Sequence, residues 1–161
     1  MSAAVSVVDE HFPSQALVDG NLITEDGEVT TEYFPLTELL FGMHSEAMDA
    51  VAEANLSGID IHGKRYTTVS KRVEIFRRHF GVYGRLRITE KTETEQGRIA
   101  MTAVVELKTE AGWDEVAQGH AEEVRGSSSI TKTSAVEVCE TSAYGRALAN
   151  FGLHGGEFAT A

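Results

Sequence analysis

The chain has 161 residues, 42% of them hydrophobic and only two of them proline, which suits one globular domain with a core and excludes a disordered chain. A formal charge of −11 argues against a nonspecific nucleic-acid coat, and the single cysteine, Cys139, excludes an internal disulfide and fits a reducing, cytoplasmic setting. No apolar run approaches the roughly 20 residues that cross a bilayer, and MSAAVSVVDEHF lacks the basic and apolar regions of a secretory signal.

Residues 1–35 are acidic, show no sustained period and read as a flexible arm, with a short hairpin possible around Glu25-Asp26-Gly27. Residues 36–161 read as a single α+β domain. Its first helix spans 37–57: Leu39, Leu40, Met43, Ala47, Met48, Val51 and Ala54 give a broad apolar stripe, and Gly58 stops it. A short hairpin follows around His62-Gly63. A second helix covers 69–80, with Val69, Val73, Phe76 and Phe80 on one face, Lys71, Glu74 and Arg78 on the other, and Gly81 at its end.

The period then changes to two. In Arg85-Leu86-Arg87-Ile88-Thr89 the arginines share one side of a strand. A turn at Glu95-Gln96-Gly97, an alternating strand from Ile99 to Leu107, a turn at Glu110-Ala111-Gly112 and a strand from Trp113 to Glu122 complete three antiparallel strands. Arg125 to Ser129 reads as a flexible link. A long helix runs from about Thr131 to Phe151, with Ser134 and Glu137 spaced as a capping box. Ala135, Cys139, Ala143 and Ala147 form a row of small residues suited to close packing on the sheet, and Gly152, Gly155 and Gly156 end the helix. The expected fold is an antiparallel β-β-β sheet packed by a long C-terminal helix, with helices preceding it.

Charge is segregated along this order. Residues 1–63 hold twelve acids and no Lys or Arg, whereas residues 64–98 hold ten basic residues against four acids. Seven of the ten are Arg, whose planar fork suits phosphate. A solvated face laced with Glu accounts for the same pattern. No histidine pair has zinc-ligand spacing, and no Gly-x4-Gly-Lys-Ser/Thr loop is present, so no metal or cofactor is implied.

The sharpest motif lies in the last helix, Thr141-Ser-Ala-Tyr-Gly-Arg-Ala-Leu-Ala-Asn-Phe-Gly152. It resembles the core helix of the Rad-fifty-two-like single-strand annealing proteins, in their phage-type variant. Thr141, Arg146, Ala147, Leu148, Phe151 and Gly152 carry the match. Arg72-Val73, Phe80-Gly81, Tyr83-Gly84, Val104 to Lys108, Gly112 and Gly119 fall in the family's order, so the resemblance spans about 62–156. Ser142 and Gly145 stand where the eukaryotic pattern has Asp and Lys, and the chain ends at Ala161 without the long tail that many members use to recruit recombination proteins.

The resemblance implies a non-enzymatic protein of the bacterial or phage-infected cytoplasm that binds single-stranded DNA and anneals complementary strands in recombination and repair. It implies a homo-oligomeric ring or filament, a host or phage recombination protein as a further partner, and no membrane. The DNA-binding candidates are Lys64, Arg65, Lys71, Arg72, Arg85, Arg87 and Arg146. Arg146 can instead pair with Glu137 or Glu140, Arg77 and Arg78 can form a solvated face, and Tyr66, Tyr83 and Trp113 either stack bases or fill core and contacts. Strand edges and the Ala-rich helix are the expected subunit contacts. The alternatives are a strand-coating protein that does not anneal, an acidic DNA mimic, and a hot-dog-like small-molecule or thioester enzyme. The enzyme reading needs an acid such as Glu122 or Asp114 facing a cleft.

Overall fold

The computed structural model describes residues 16–18, 21–23, 29–30, 36–61 and 63–156, the first three of these segments, Ile61 and Lys64 by backbone alone. The chain divides into two compact units, Met1–Glu38 and Leu39–Ala161. In the first, β1 (Ala16–Val18) pairs antiparallel with β2 (Asn21–Ile23), and β2 with β3 (Val29–Thr30). The β2–β3 pairing flanks the hairpin expected at Glu25-Asp26-Gly27. That turn, and the expected flexibility of the rest of the arm, lie outside the described residues.

The second unit is built on α1 (Leu36–Leu56), α2 (Val69–Phe80) and α3 (Thr131–Asn150), with a small hairpin of β4 (Ile59–Ile61) and β5 (Lys64–Tyr66). Its main sheet has the order β6-β7-β8: Gly84–Glu93, Arg98–Thr109 and Gly112–Val124, antiparallel throughout. This is the α+β arrangement read from the sequence, with the C-terminal helix packed on a three-stranded antiparallel sheet.

Local chemistry sets the boundaries. The Thr68 hydroxyl accepts from the Lys71 N–H at 3.2 Å and caps α2. Gly81, with φ of 50°, ends it and returns its N–H to the Arg77 carbonyl. The face α2 buries is the expected one widened toward Arg72 and Ile75: Phe76 and Phe80 are buried with them, and Val69 and Val73 are half-buried. The reason is Gly145 on α3, whose missing side chain makes room for Val69 and Arg72. On α1, Leu40, Ala47 and Val51 are buried, but Met48 is partly exposed, because the apolar stripe is wider than the surface that covers it.

α3 lies on the sheet through the predicted row. Ala135, Cys139, Ala143 and Ala147 are fully buried, and the Cys139 thiol lies within bonding distance of the Ile99 and Ala121 carbonyls. Opposite them, a Cβ on Gly119 would sit 2.2 Å from the Ala147 nitrogen, so this glycine lets helix and strand backbones touch. α3 is kinked at Ser134 (φ −126°, ψ 31°), where the capping-box motif begins one turn inside the helix.

The segment read as a flexible link is a closed turn. The Thr131 hydroxyl accepts from the Ser128 N–H at 2.8 Å, the Gly126 N–H reaches the Thr131 carbonyl, and Arg125 forks onto Glu93. Serine and glycine suggested mobility, but their hydroxyls and N–H groups satisfy the helix start. At the other end Gly152 (φ 99°) lets the Leu153 N–H reach the Leu148 carbonyl, a Schellman closure, with Leu153 buried.

Candidate nucleic-acid interface

Period two along β6 places Leu86, buried, on the α3 side of the sheet and Arg85 and Arg87 on the other. Both arginines converge on one carboxylate from the middle strand. Arg85 donates Nε and Nη2 to Glu106 at 2.6 and 3.2 Å, and Arg87 donates the same pair at 2.7 and 2.9 Å. The Glu106 side chain is only 8% exposed, against 35% and 48% for Arg85 and Arg87. Hydrogen bonds from Arg87 and then Arg85 hold its carboxyl down at about 2, against the opposing effect of burial. The same bonds raise the Arg87 guanidinium above its ordinary value. Trp113 on β8 lies beneath Arg85, whose guanidinium carbon is 4.2 Å from the ring centroid, and Lys108 approaches the same ring at 5.5 Å.

Each guanidinium therefore spends one edge on Glu106. Among the described residues neither Nη1 of Arg85 nor Nη1 of Arg87 has a hydrogen-bond partner. Two locked forks, each with an Nη1 edge unpartnered among the described residues and backed by an indole, can hold a phosphate oxygen. Net charge does not favour this face. By register Lys108 and Arg98 accompany the two arginines, and Glu106, Glu90, Glu115 and Glu122 offset them. Beside the forks, the Thr102 hydroxyl links the Glu90 carboxylate (3.2 Å) to His120 Nδ1 (3.0 Å).

The other predicted residues whose side chains are described do not join this site. Arg72 is 8% exposed, and its Nη1 donates to the Gly145 and Leu153 carbonyls at 2.9 and 3.1 Å. It clamps α2 to α3 and the turn after it, away from the Arg85–Arg87 pair. Burial lowers its pKa, and its Nε has no partner among the described residues. Lys71 and Arg78 share Glu74 at 2.9 and 3.1 Å on the outer face of α2. Arg65 is exposed and donates to the Gly58 carbonyl at 3.3 Å. The Lys64 backbone pairs with Ile61, but its side chain lies outside the described residues.

Arg146 is exposed on α3 and donates to the His120 carbonyl at 2.6 Å rather than to Glu137 or Glu140. The sheet stands between it and the Arg85–Arg87 pair. The space beside its neighbour Gly145 is filled by Val69 and Arg72. Arg98 and Arg125 pair with Glu122 and Glu93, so the basic segment is laced with carboxylates, half of the interpretation that charge alone left open. Of the two acids the enzyme reading requires, Glu122 is half-exposed and paired to Arg98, and Asp114 is exposed.

Sequence reasoning missed Glu106. Its signal was a lone acid in the apolar run from Ile99 to Leu107, at an even position that alternation assigns to the side of Arg85 and Arg87. A scan against protein-family models found no match, and a search of curated proteins found none with significant similarity.

Proposed function

We propose that this protein binds single-stranded DNA by its phosphates and anneals complementary strands without covalent chemistry, its short surfaces joined by self-assembly into a longer track. The observation that supports this most is the Arg85–Arg87 fork, two guanidinia fixed by one buried carboxylate, with their Nη1 edges uncommitted among the described residues. Phosphate contacts position a strand without reading its bases, which annealing requires. Trp113 supplies a flat apolar partner next to the fork. The resemblance of the α3 motif to single-strand annealing proteins supports the same reading.

Anisotropy of a labelled oligo-dT, titrated at several salt concentrations, tests it. Binding should weaken steeply with salt. Arg85→Ala with Arg87→Ala should weaken it by about tenfold or more at low salt, for all sequences alike, and flatten the salt slope by about two. Complementary oligonucleotides bearing a donor and an acceptor dye should then anneal faster with protein present. Absence of binding at low salt would turn the choice toward the enzyme or mimic readings.

A further inference from the structure

Helix α1 has two apolar faces, and the fold uses one. Leu40, Ala47 and Val51 are buried, whereas Phe41, Met48 and Leu56 are 76%, 39% and 78% exposed. With exposed Ala52 they fall on one stripe, at helical spacings of seven, four and four. Beyond the C-terminal end of the stripe is a cleft of about 230 Å3 lined by Ala54, Ser57, Ile59, Tyr66, Thr68 and Lys71. It falls below the about 300–1,000 Å3 of small-molecule pockets and suits a single large side chain.

Phe41 stands at the far end of the same helix, roughly 22 Å from Leu56 at about 1.5 Å per residue, so it cannot reach the cleft of its own chain. The charges are complementary. At the Phe41 end α1 carries Glu38 and Glu46 and no Lys or Arg, while at the other end Lys71, shared with Glu74, lines the cleft, Arg65 lies on the adjoining strand β5, and Glu53 of α1 stands beside them. The small-residue row of α3, the other apolar surface considered for assembly, is buried against the sheet.

We propose that Phe41 of one copy seats in this cleft on a second copy of the chain, making a head-to-tail contact. Every copy then carries a knob at one end of α1 and a hole at the other, and such a contact propagates into a ring or filament. A buried aromatic anchor surrounded by polar contacts is the usual form of a strong interface centre. The proposal specifies the assembly invoked above, and its test uses no nucleic acid, so it stands or falls apart from strand binding.

Light scattering coupled to size exclusion gives the test. The wild-type chain should exceed the monomer mass and grow with concentration. Phe41→Glu, which removes the knob, and Ser57→Trp, which fills the hole, should each run as monomers. Mixed, they should form a one-to-one dimer and stop, because one variant retains the knob and the other the hole. Phe41→Ser replaces the first variant if Phe41→Glu does not fold. A monomeric wild type, variants that keep the wild-type mass, or a mixture that remains monomeric would each overturn the proposal.

Discussion

Two arginines read alike in the sequence have opposite roles, and burial separates them. Arg72 is held by carbonyls and Arg87 by a carboxylate with an open edge. Arg72→Ala leaves the Leu153 carbonyl without this donor, at a cost of about 1–3 kcal/mol, and removes a second bond from the Gly145 carbonyl, which still accepts within α3. Urea unfolding should show that loss while the folded variant keeps the wild-type salt slope for oligonucleotides. A slope reduced by about one would return Arg72 to the strand-binding set. Glu106 carries the pH dependence. Its carboxyl titrates at about 2 when folded against an ordinary 4.5, so the stability it contributes is present above about pH 4.5 and disappears as the pH falls through about 2. Glu106→Gln should be about 1–3 kcal/mol less stable at neutral pH, its arginines left without a counter-charge. The difference from wild type should shrink between about pH 4.5 and 2. A difference unchanged at the acid end would mean that packing, not charge, is what Glu106 supplies.

Among the elements, α3 depends on glycine at two contacts. Gly119 admits the helix to β8 and Gly145 admits α2 to the helix. Gly119→Ala puts a methyl group 2.2 Å from the Ala147 nitrogen and 2.7 Å from the Ala143 carbonyl oxygen, both backbone atoms that cannot swing aside. It should cost about 1–3 kcal/mol or more. Gly42 is the control: it lies inside α1 with nothing within 4 Å of an added Cβ, so Gly42→Ala should stabilise by about 0.5–1 kcal/mol through helix propensity alone. Thermal melts of the pair check both signs. Their divergence would show that glycine content matters here through close approach and not through flexibility.

For the whole molecule, the open edges of the sheet matter most. Arg146 and Asn150, one turn apart on α3, donate to the His120 and Gln118 carbonyls of β8 at 2.6 and 2.7 Å. These two side chains occupy groups that an unpaired edge strand would offer to another chain. Removing both, as Arg146→Ala with Asn150→Ala, should expose that edge and produce concentration-dependent association visible by light scattering, with the helical signal retained. Unchanged scattering would leave the two residues as simple helix-to-strand ties. The cap makes β8 a poor assembly surface where it is covered, whereas the outer stripe of α1 stays exposed.

From Leu36 onward the elements and their order were legible in the sequence, because periodicity, caps and turn glycines act over a few residues. The switch from a 3.6-residue to a two-residue period after Gly81, the alternation of Arg85 and Arg87 with Leu86 and Ile88, and the small-residue row of α3 were all legible before any contact was known. The tertiary structure decided what each charge does. Whether an arginine is solvated, paired or buried depends on which backbone approaches it, and those approaches come from residues remote in sequence: Gly145 and Leu153 for Arg72, Glu106 for Arg85 and Arg87, His120 for Arg146. A basic segment seen as one cluster along the chain is dispersed by the fold over a helix face, a hairpin and the far side of a sheet. Among the predicted contacts whose side chains are described, only Arg85 and Arg87 meet at one site, since a strand places alternate residues on a common face and the carboxylate between them fixes their spacing.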